Sequence, residues 1–135
     1  MHGQIFESNM KNKKSIAFIV GVSIFIGLLH FIIGPDYNGI YKNFMRGYLI
    51  DLLLPMDVYL LLQISLRKKI STGRSRVIGA IITFSIGLFV EIMQMLEIEF
   101  LGSTYDPLDI LMYGIGVLTG LLIDFTIIER FENQK

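Results

Sequence analysis

The most informative absences in this 135-residue sequence concern cysteine, net charge and catalytic motifs. There is no cysteine, which excludes disulfides, thiolate catalysis and zinc sites built on cysteine. The 12 basic and 12 acidic residues cancel to a formal net charge of zero, so the overall charge indicates no nucleic-acid partner. Phosphate-binding glycine loops, serine nucleophile elbows and zinc-binding HExxH patterns do not occur either. These absences leave no recognisable catalytic signature.

What the sequence does contain is apolar surface. Hydrophobic residues make up 53% of the chain, charged residues make up 18%, and the mean hydropathy is +0.59. Repeats, linkers and low-complexity segments are not visible, and the length fits one domain covering residues 1–135. These properties predict a small integral membrane protein.

Four apolar stretches are each about 20 residues long, which is enough for a helix to cross ~30 Å of hydrocarbon. They cover residues 15–34, 46–66, 77–98 and 106–128. The first follows several lysines, as a signal peptide does, but it is too long for a signal core and lacks a small-x-small cleavage site. We therefore expect four retained helices and an all-α fold. Pro55 is expected to kink the second helix.

The distribution of lysine and arginine predicts the orientation. Placing residues 1–14, the basic loop 67–76 and the C-terminal tail on one side collects ten of the twelve basic residues there. Only Lys42 and Arg46 fall on the other side. Because lysine and arginine accumulate on the cytoplasmic side, we predict an antiparallel four-helix bundle in the plasma membrane with both termini cytoplasmic. The basic loop is expected to act only on topology.

Several carboxylates lie within the apolar stretches, where lipid disfavours them. Glu91 is in the third stretch with Gln94 three residues later, and Asp51 is in the second. An unpaired charge in hydrocarbon costs at least ~2.5 kcal/mol. At a rise of about 1.5 Å per residue, these side chains, Asp109 and His30 fall in the half-membrane away from the cytoplasm. We predict an acidic pocket open to the outside, with Glu91 and Asp109 as ligand or cation contacts. The further candidates for this pocket are Gln94, Asp51, Asp106, His30 and Tyr113.

The fourth stretch carries its polar and small residues on one face. Asp109, Tyr113, Gly116, Gly120 and Asp124 follow one another at steps of 4, 3, 4 and 4 residues. This face should contact a partner helix or a cavity. The two glycines form a small-xxx-small pattern, which is typical of close helix packing. Asp124 lies near the cytoplasmic interface, where it can reach water, so no role is assigned to it.

Structural alternatives remain open for several of these residues. The segment at 106–109, DPLD, matches a helix N-cap followed by proline and a first-turn acid, so Asp106 and the second acid could serve the helix start instead of a ligand. His30 could be an interfacial histidine without a role. Asp51 and Asp57 could satisfy the backbone groups freed by Pro55, or they could bond across helices. Carboxylates near one histidine could hold a divalent metal, but without a spacing signature we predict neither a metal site nor a cofactor.

A stretch of about 30 residues resembles the VanZ-like family, small membrane proteins named for a teicoplanin-resistance factor. The pattern shared with that family comprises Glu91, Gln94, Gly102, Asp106, Asp109, Gly116 and Gly120, with Asp51 in the preceding helix. Ser103 and Tyr113 stand where the family usually has Arg and Asn. The resemblance implies a bacterial plasma-membrane protein linked to the cell envelope.

The expected function is that of a VanZ-like envelope protein that lowers susceptibility to glycopeptides such as teicoplanin. In this interpretation the pocket binds an envelope or lipophilic ligand and catalyses nothing, with Gln94 and Asp51 as hydrogen-bonding supports. Membrane lipid is the other expected partner. One alternative is a proton-coupled exporter, which would need a homo-oligomer because four helices are few. Another is a membrane enzyme acting on lipid-linked envelope substrates through paired carboxylates.

Overall fold

A computed structural model describes residues 13–34, 37–98 and 105–134. Within these ranges the chain is helical and has no strand. Four helical stretches are long and apolar enough to cross a membrane, namely Lys13–Ile32, Lys42–Leu66, Thr72–Met95 and Pro107–Asn133. The predicted all-α class and the number of long apolar helices are thereby confirmed. The shared-pattern positions Gly102 and Ser103 lie outside the described residues.

The elements follow one another with short connections. In chain order they are α1 (Lys13–Ile32), α2 (Lys42–Arg46), α3 (Tyr48–Leu66), α4 (Thr72–Met95), α5 (Pro107–Ile123), a π-helical segment (Asp124–Ile128) and α6 (Glu129–Asn133). The last three elements are continuous. At Asp124 the backbone hydrogen bonds change from α-helical to π-helical spacing, since the Glu129 N–H donates to the Asp124 carbonyl.

Two predicted loops are shorter than expected. The basic segment 67–76 is not one loop, because α4 begins at Thr72 and carries Arg74 and Arg76 on its first turns. In segment 35–45, which separates the first two apolar stretches and is therefore expected to be a loop, residues from Lys42 onward form α2. Both errors have one cause: the end of an apolar run marks where the hydrocarbon ends, and a helix can continue past that point into polar sequence.

The third helix, α3, is central and packs against α1, α4 and α5. The core between these helices comprises Ile19, Ile26, Met56, Tyr59, Leu60 and Ile128. Helix α3 continues through Pro55, and the kink expected there stays a prediction. The first turns of α3 and α5 lie together, and so do the last turns of these two helices.

Two glycines allow α5 to approach α3. A Cβ atom added at Gly116 would collide with the backbone carbonyl of Leu52 and lie 2.7 Å from Pro55 Cγ. A Cβ atom at Gly120 would lie 2.7 Å from Tyr59 Cδ1. Both glycines are buried, as is Tyr113 on the same face. The predicted packing role of the two glycines is confirmed.

Candidate ligand-binding site

A pocket of about 560 Å³ lies where α3 and α5 begin, and we call it the acidic pocket. It is lined by Asn43, Arg46, Gly47, Tyr48, Asp51, Gln94, Tyr105, Asp106, Asp109 and Tyr113. Five predicted candidates are thus brought together in one cavity. Asp51 and Asp109 occupy the first turns of their helices, where the helix dipole favours negative charge.

Asp106 joins the starts of α3 and α5. One carboxylate oxygen accepts a hydrogen bond from the Leu108 N–H at 2.9 Å, and the other accepts from the Tyr48 hydroxyl at 3.0 Å. Proline follows Asp106 at the first helical position. The capping interpretation of Asp106 is confirmed, and the same side chain also forms part of the pocket wall.

Asp51 and Asp109 face each other across the pocket, and their side chains lie within hydrogen-bonding reach. An ionised carboxylate only accepts hydrogen bonds, so a proton or a cation between two neighbouring carboxyl groups relieves their mutual repulsion. The arrangement therefore provides a position that a cationic group can occupy in place of the shared proton.

Glu91 does not line the pocket but is hydrogen-bonded to Tyr113, which does. Its side chain is 1% exposed, and its Oε1 accepts a hydrogen bond of 3.2 Å from the Tyr113 hydroxyl. The other oxygen, Oε2, is buried without a side-chain partner among the described residues. Tyr113 lines the pocket and Glu91 does not. The carboxylate predicted as a direct contact thus lies behind the Tyr113 side chain.

Helix α1 takes no part in the described lining of the acidic pocket. His30 is exposed on α1 and is not among the lining residues. The candidate role of His30 stays a prediction, and the polar residues Asn43 and Arg46 of α2 line the pocket instead. Asp57 accepts a hydrogen bond of 2.5 Å from the Ser23 hydroxyl of α1, which confirms the interpretation that it bonds across helices.

A second cavity of about 130 Å³ runs between α3 and α4, and we call it the apolar groove. Its lining consists of Asp51, Leu54, Pro55, Val58, Thr83, Ile86, Gly87, Val90 and Tyr113. Asp51 and Tyr113 belong to both cavities. The polar and the apolar cavity therefore meet at these two side chains.

At the opposite end of α3 and α5, a buried ion-pair group forms around Asp124, which is 0% exposed. Asp124 accepts a hydrogen bond of 2.8 Å from the Tyr59 hydroxyl and pairs with the guanidinium of Arg67. Arg76 Nε lies 3.3 Å from its Oδ2. The expectation that Asp124 has no role is wrong. We call Tyr59, Arg67, Arg76 and Asp124 the arginine–aspartate cluster.

Arg76 also bridges the π-helical segment. Its guanidinium lies 3.1 Å from Glu129 Oε2 and 3.9 Å from the centroid of the Phe125 ring, a cation–π distance. Two arginines of the segment predicted to act only on topology thus bind buried groups, which corrects that expectation. A sequence signal exists, because Tyr59, Gln63 and Arg67 follow one another at steps of four and share one face of α3.

Gln63 and Ser75 connect α3 to α4 beside this cluster, and both are 0% exposed. Gln63 Nε2 donates to the Ser75 carbonyl at 3.1 Å, and the Ser75 hydroxyl lies 2.9 Å from Gln63 Oε1. Gly79 makes room for the amide, because an added Cβ would collide with it. These polar contacts hold α3 and α4 in a fixed register.

Neither a protein-family model, nor a curated protein, nor a solved structure matches this chain.

Proposed function

We propose that this chain is a multi-pass membrane protein whose acidic pocket binds a cationic ligand at the face of the membrane away from the cytoplasm. The observation that carries the proposal is the lining of the pocket, where the carboxyl groups of Asp51, Asp106 and Asp109 face one guanidinium, that of Arg46. A concave surface with surplus negative charge recruits and orients positively charged partners.

The proposal includes an antiparallel four-helix bundle with both termini cytoplasmic. It is supported by the count of basic residues, ten against two, and by the separation of the two polar sites. The arginine–aspartate cluster lies at the end with many basic residues, whereas the acidic pocket lies at the end with few. This arrangement opens the pocket to the outside of a bacterial plasma membrane.

We further propose that the ligand belongs to the cell envelope and that the function is VanZ-like. Five of the residues behind that resemblance fall into two groups in the fold. Gln94, Asp106 and Asp109 line the pocket, whereas Gly116 and Gly120 form the contact between α5 and α3. The glycines therefore place the first turn of α5 beside the first turn of α3, and this placement assembles the carboxyl groups.

The test is teicoplanin susceptibility in a sensitive Gram-positive host expressing the chain. Wild type should raise the inhibitory concentration over an empty vector, and Asp109→Asn should abolish that protection at equal membrane abundance. Glu97→Gln is the matched control, because Glu97 is an exposed carboxylate outside the pocket lining. If wild type gives no protection, or if both variants protect equally, the VanZ-like function of the pocket is contradicted.

A proton-coupled exporter is a second candidate, favoured by the pairing of Asp51 with Asp109. Two carboxyl groups that share one proton can exchange it for a cationic substrate. The test is efflux of a cationic dye from proteoliposomes with an imposed pH gradient. Efflux that follows the gradient and is lost in Asp51→Asn supports export; dye movement that ignores the gradient counts against it.

A further inference from the structure

The acidic pocket and the apolar groove adjoin each other. They share Asp51 and Tyr113 in their linings, so the polar end of a molecule held among the carboxyl groups lies beside the start of the groove. Val58 is seven residues after Asp51, about 10 Å further along α3. The site therefore changes from charged to apolar over the length of a short hydrocarbon chain.

The groove is open along its flank. Leu54 on α3 and Ile86 on α4 form opposite walls and remain 53% and 49% exposed. In a membrane, this flank faces the hydrocarbon of the same leaflet whose surface the acidic pocket meets. A molecule dissolved in that leaflet can enter the groove sideways without carrying its apolar part through water.

Gly87 and Tyr113 form the floor at the junction of the two cavities. A Cβ atom at Gly87 would lie 2.7 Å from Tyr113 Cδ2, so the tyrosine ring packs directly on the α4 backbone. The ring then separates the buried Glu91 from both cavities, and its hydroxyl donates to Glu91. This packing fixes the position of the ring at the boundary that the two cavities share.

We infer that the site binds an amphiphile with an amine or quaternary-ammonium headgroup and a single hydrocarbon chain. The headgroup lies in the acidic pocket against Asp51 and Asp109, and the chain lies between α3 and α4. This inference rests on the proposed function and names its ligand class. An inorganic cation would leave the groove unused, and a helix of another protein, about 10 Å in diameter, is too wide for a cavity of 130 Å³.

The experiment uses the absence of tryptophan from the sequence. Leu54→Trp and Ile86→Trp each place a single indole on a wall of the groove. Leu61→Trp is the matched control, because Leu61 is also exposed on α3 but lines neither cavity. The full chain is reconstituted in phosphocholine nanodiscs and titrated with an alkyl-trimethylammonium that carries bromine near its chain end, since bromine quenches indole fluorescence on contact.

Saturable quenching is expected at Leu54→Trp and Ile86→Trp, with only weak, linear quenching at Leu61→Trp. The bromoalcohol of the same length should quench all three linearly, because it lacks the charge. Adding Asp109→Asn to Ile86→Trp should weaken half-saturation about tenfold, because one of the carboxylates that face the cation loses its charge. Equal, linear quenching in all three variants would overturn the inference, since it describes partition into bulk lipid.

Tetramethylammonium, which has no chain, separates this inference from the proposed function. If it binds the pocket and depends on Asp109 while the bromoalkyl probe shows no saturable quenching, the cationic pocket stands and the groove is not a chain site. If neither probe saturates, both the proposed function and the inference fail. Saturation by the bromoalkyl probe in the groove together with dependence on Asp109 supports both.

Discussion

Three carboxylates within the long helical stretches each accept a side-chain hydrogen bond from another part of the fold. Asp124 has Arg67 and Tyr59, Asp57 has Ser23, and Glu91 has Tyr113. Burying a charge in an apolar environment is costly unless it is paired, so these contacts allow the acids to lie inside the fold.

Breaking the ion pair of Asp124 should destabilise the fold strongly. Asp124→Asn keeps the shape but leaves the buried Arg67 without its full counter-charge, and removing one member of a buried pair costs ~3–5 kcal/mol. The free energy of unfolding in mixed detergent micelles, followed by circular dichroism, measures the loss. Combining Asp124→Asn with Arg67→Gln should restore part of it. A single variant as stable as wild type contradicts a structural role for the pair.

Removing the Tyr113 hydroxyl should have a smaller effect. Tyr113→Phe leaves the Oε1 of Glu91 buried without its donor, a change that costs ~1–3 kcal/mol. Tyr37→Phe is the matched control, because its hydroxyl donates to the Ile40 carbonyl at an exposed site. The same unfolding measurement applies to both. Equal stability of the two variants would mean that the hydrogen bond to Glu91 contributes nothing.

More residues of the acidic pocket than of the arginine–aspartate cluster could be predicted from the sequence, for a physical reason. Depth in the membrane follows from chain position, so Asp51 and Asp109 could be assigned to one layer. Which helices adjoin does not follow from depth. His30 has a similar position along its helix, but that helix is α1. Asp124 was expected to reach water because the sequence does not show which residues of the neighbouring helix pair with it.

At the scale of elements, the contact between α3 and α5 depends on small side chains at defined positions. Their spacing could be read as a helical stripe, and its four-residue periodicity predicted which face of α5 is buried. The start of α4 at Thr72 could not be predicted in the same way, because polar sequence gives no periodic signal. Neither did the sequence indicate the π-helical turn at Asp124.

Substituting the glycines of this contact gives a position-dependent prediction. Gly116→Ala should destabilise the protein by about 1–3 kcal/mol, because the new methyl group meets the rigid Leu52 carbonyl. Gly27→Ala on α1 should be neutral or slightly stabilising, since nothing lies within 4 Å of its added Cβ. Thermal unfolding of both variants in the same detergent tests the difference. Two equal effects would contradict the close packing of α3 and α5.

At the scale of the whole molecule, the outer surfaces of the long helices remain apolar. Phe31 is 86% exposed and Leu118 is 65% exposed, as side chains that face lipid would be. The polar groups are instead collected at two ends of α3 and α5. One end combines buried arginines with exposed lysines, and the other holds carboxyl groups around a cavity.

The proposed topology predicts opposite labelling of the two ends. Because the chain has no cysteine, a thiol reagent can label this protein only at a cysteine introduced by substitution. Asn38→Cys and Lys69→Cys are both exposed positions in connections between helices. In intact cells, a membrane-impermeant maleimide should label Asn38→Cys but not Lys69→Cys, and permeabilised cells should label both. The reverse pattern would place the acidic pocket in the cytoplasm.

The most direct test of the cationic pocket is equilibrium binding of radiolabelled tetramethylammonium to the purified chain in phosphocholine nanodiscs. The account predicts one saturable site in wild type, retained in Glu97→Gln and weakened about tenfold in Asp109→Asn. Binding that never saturates in wild type, or that is equal in the two variants, would contradict the claim that the carboxyl groups between α3 and α5 form a site for a cation.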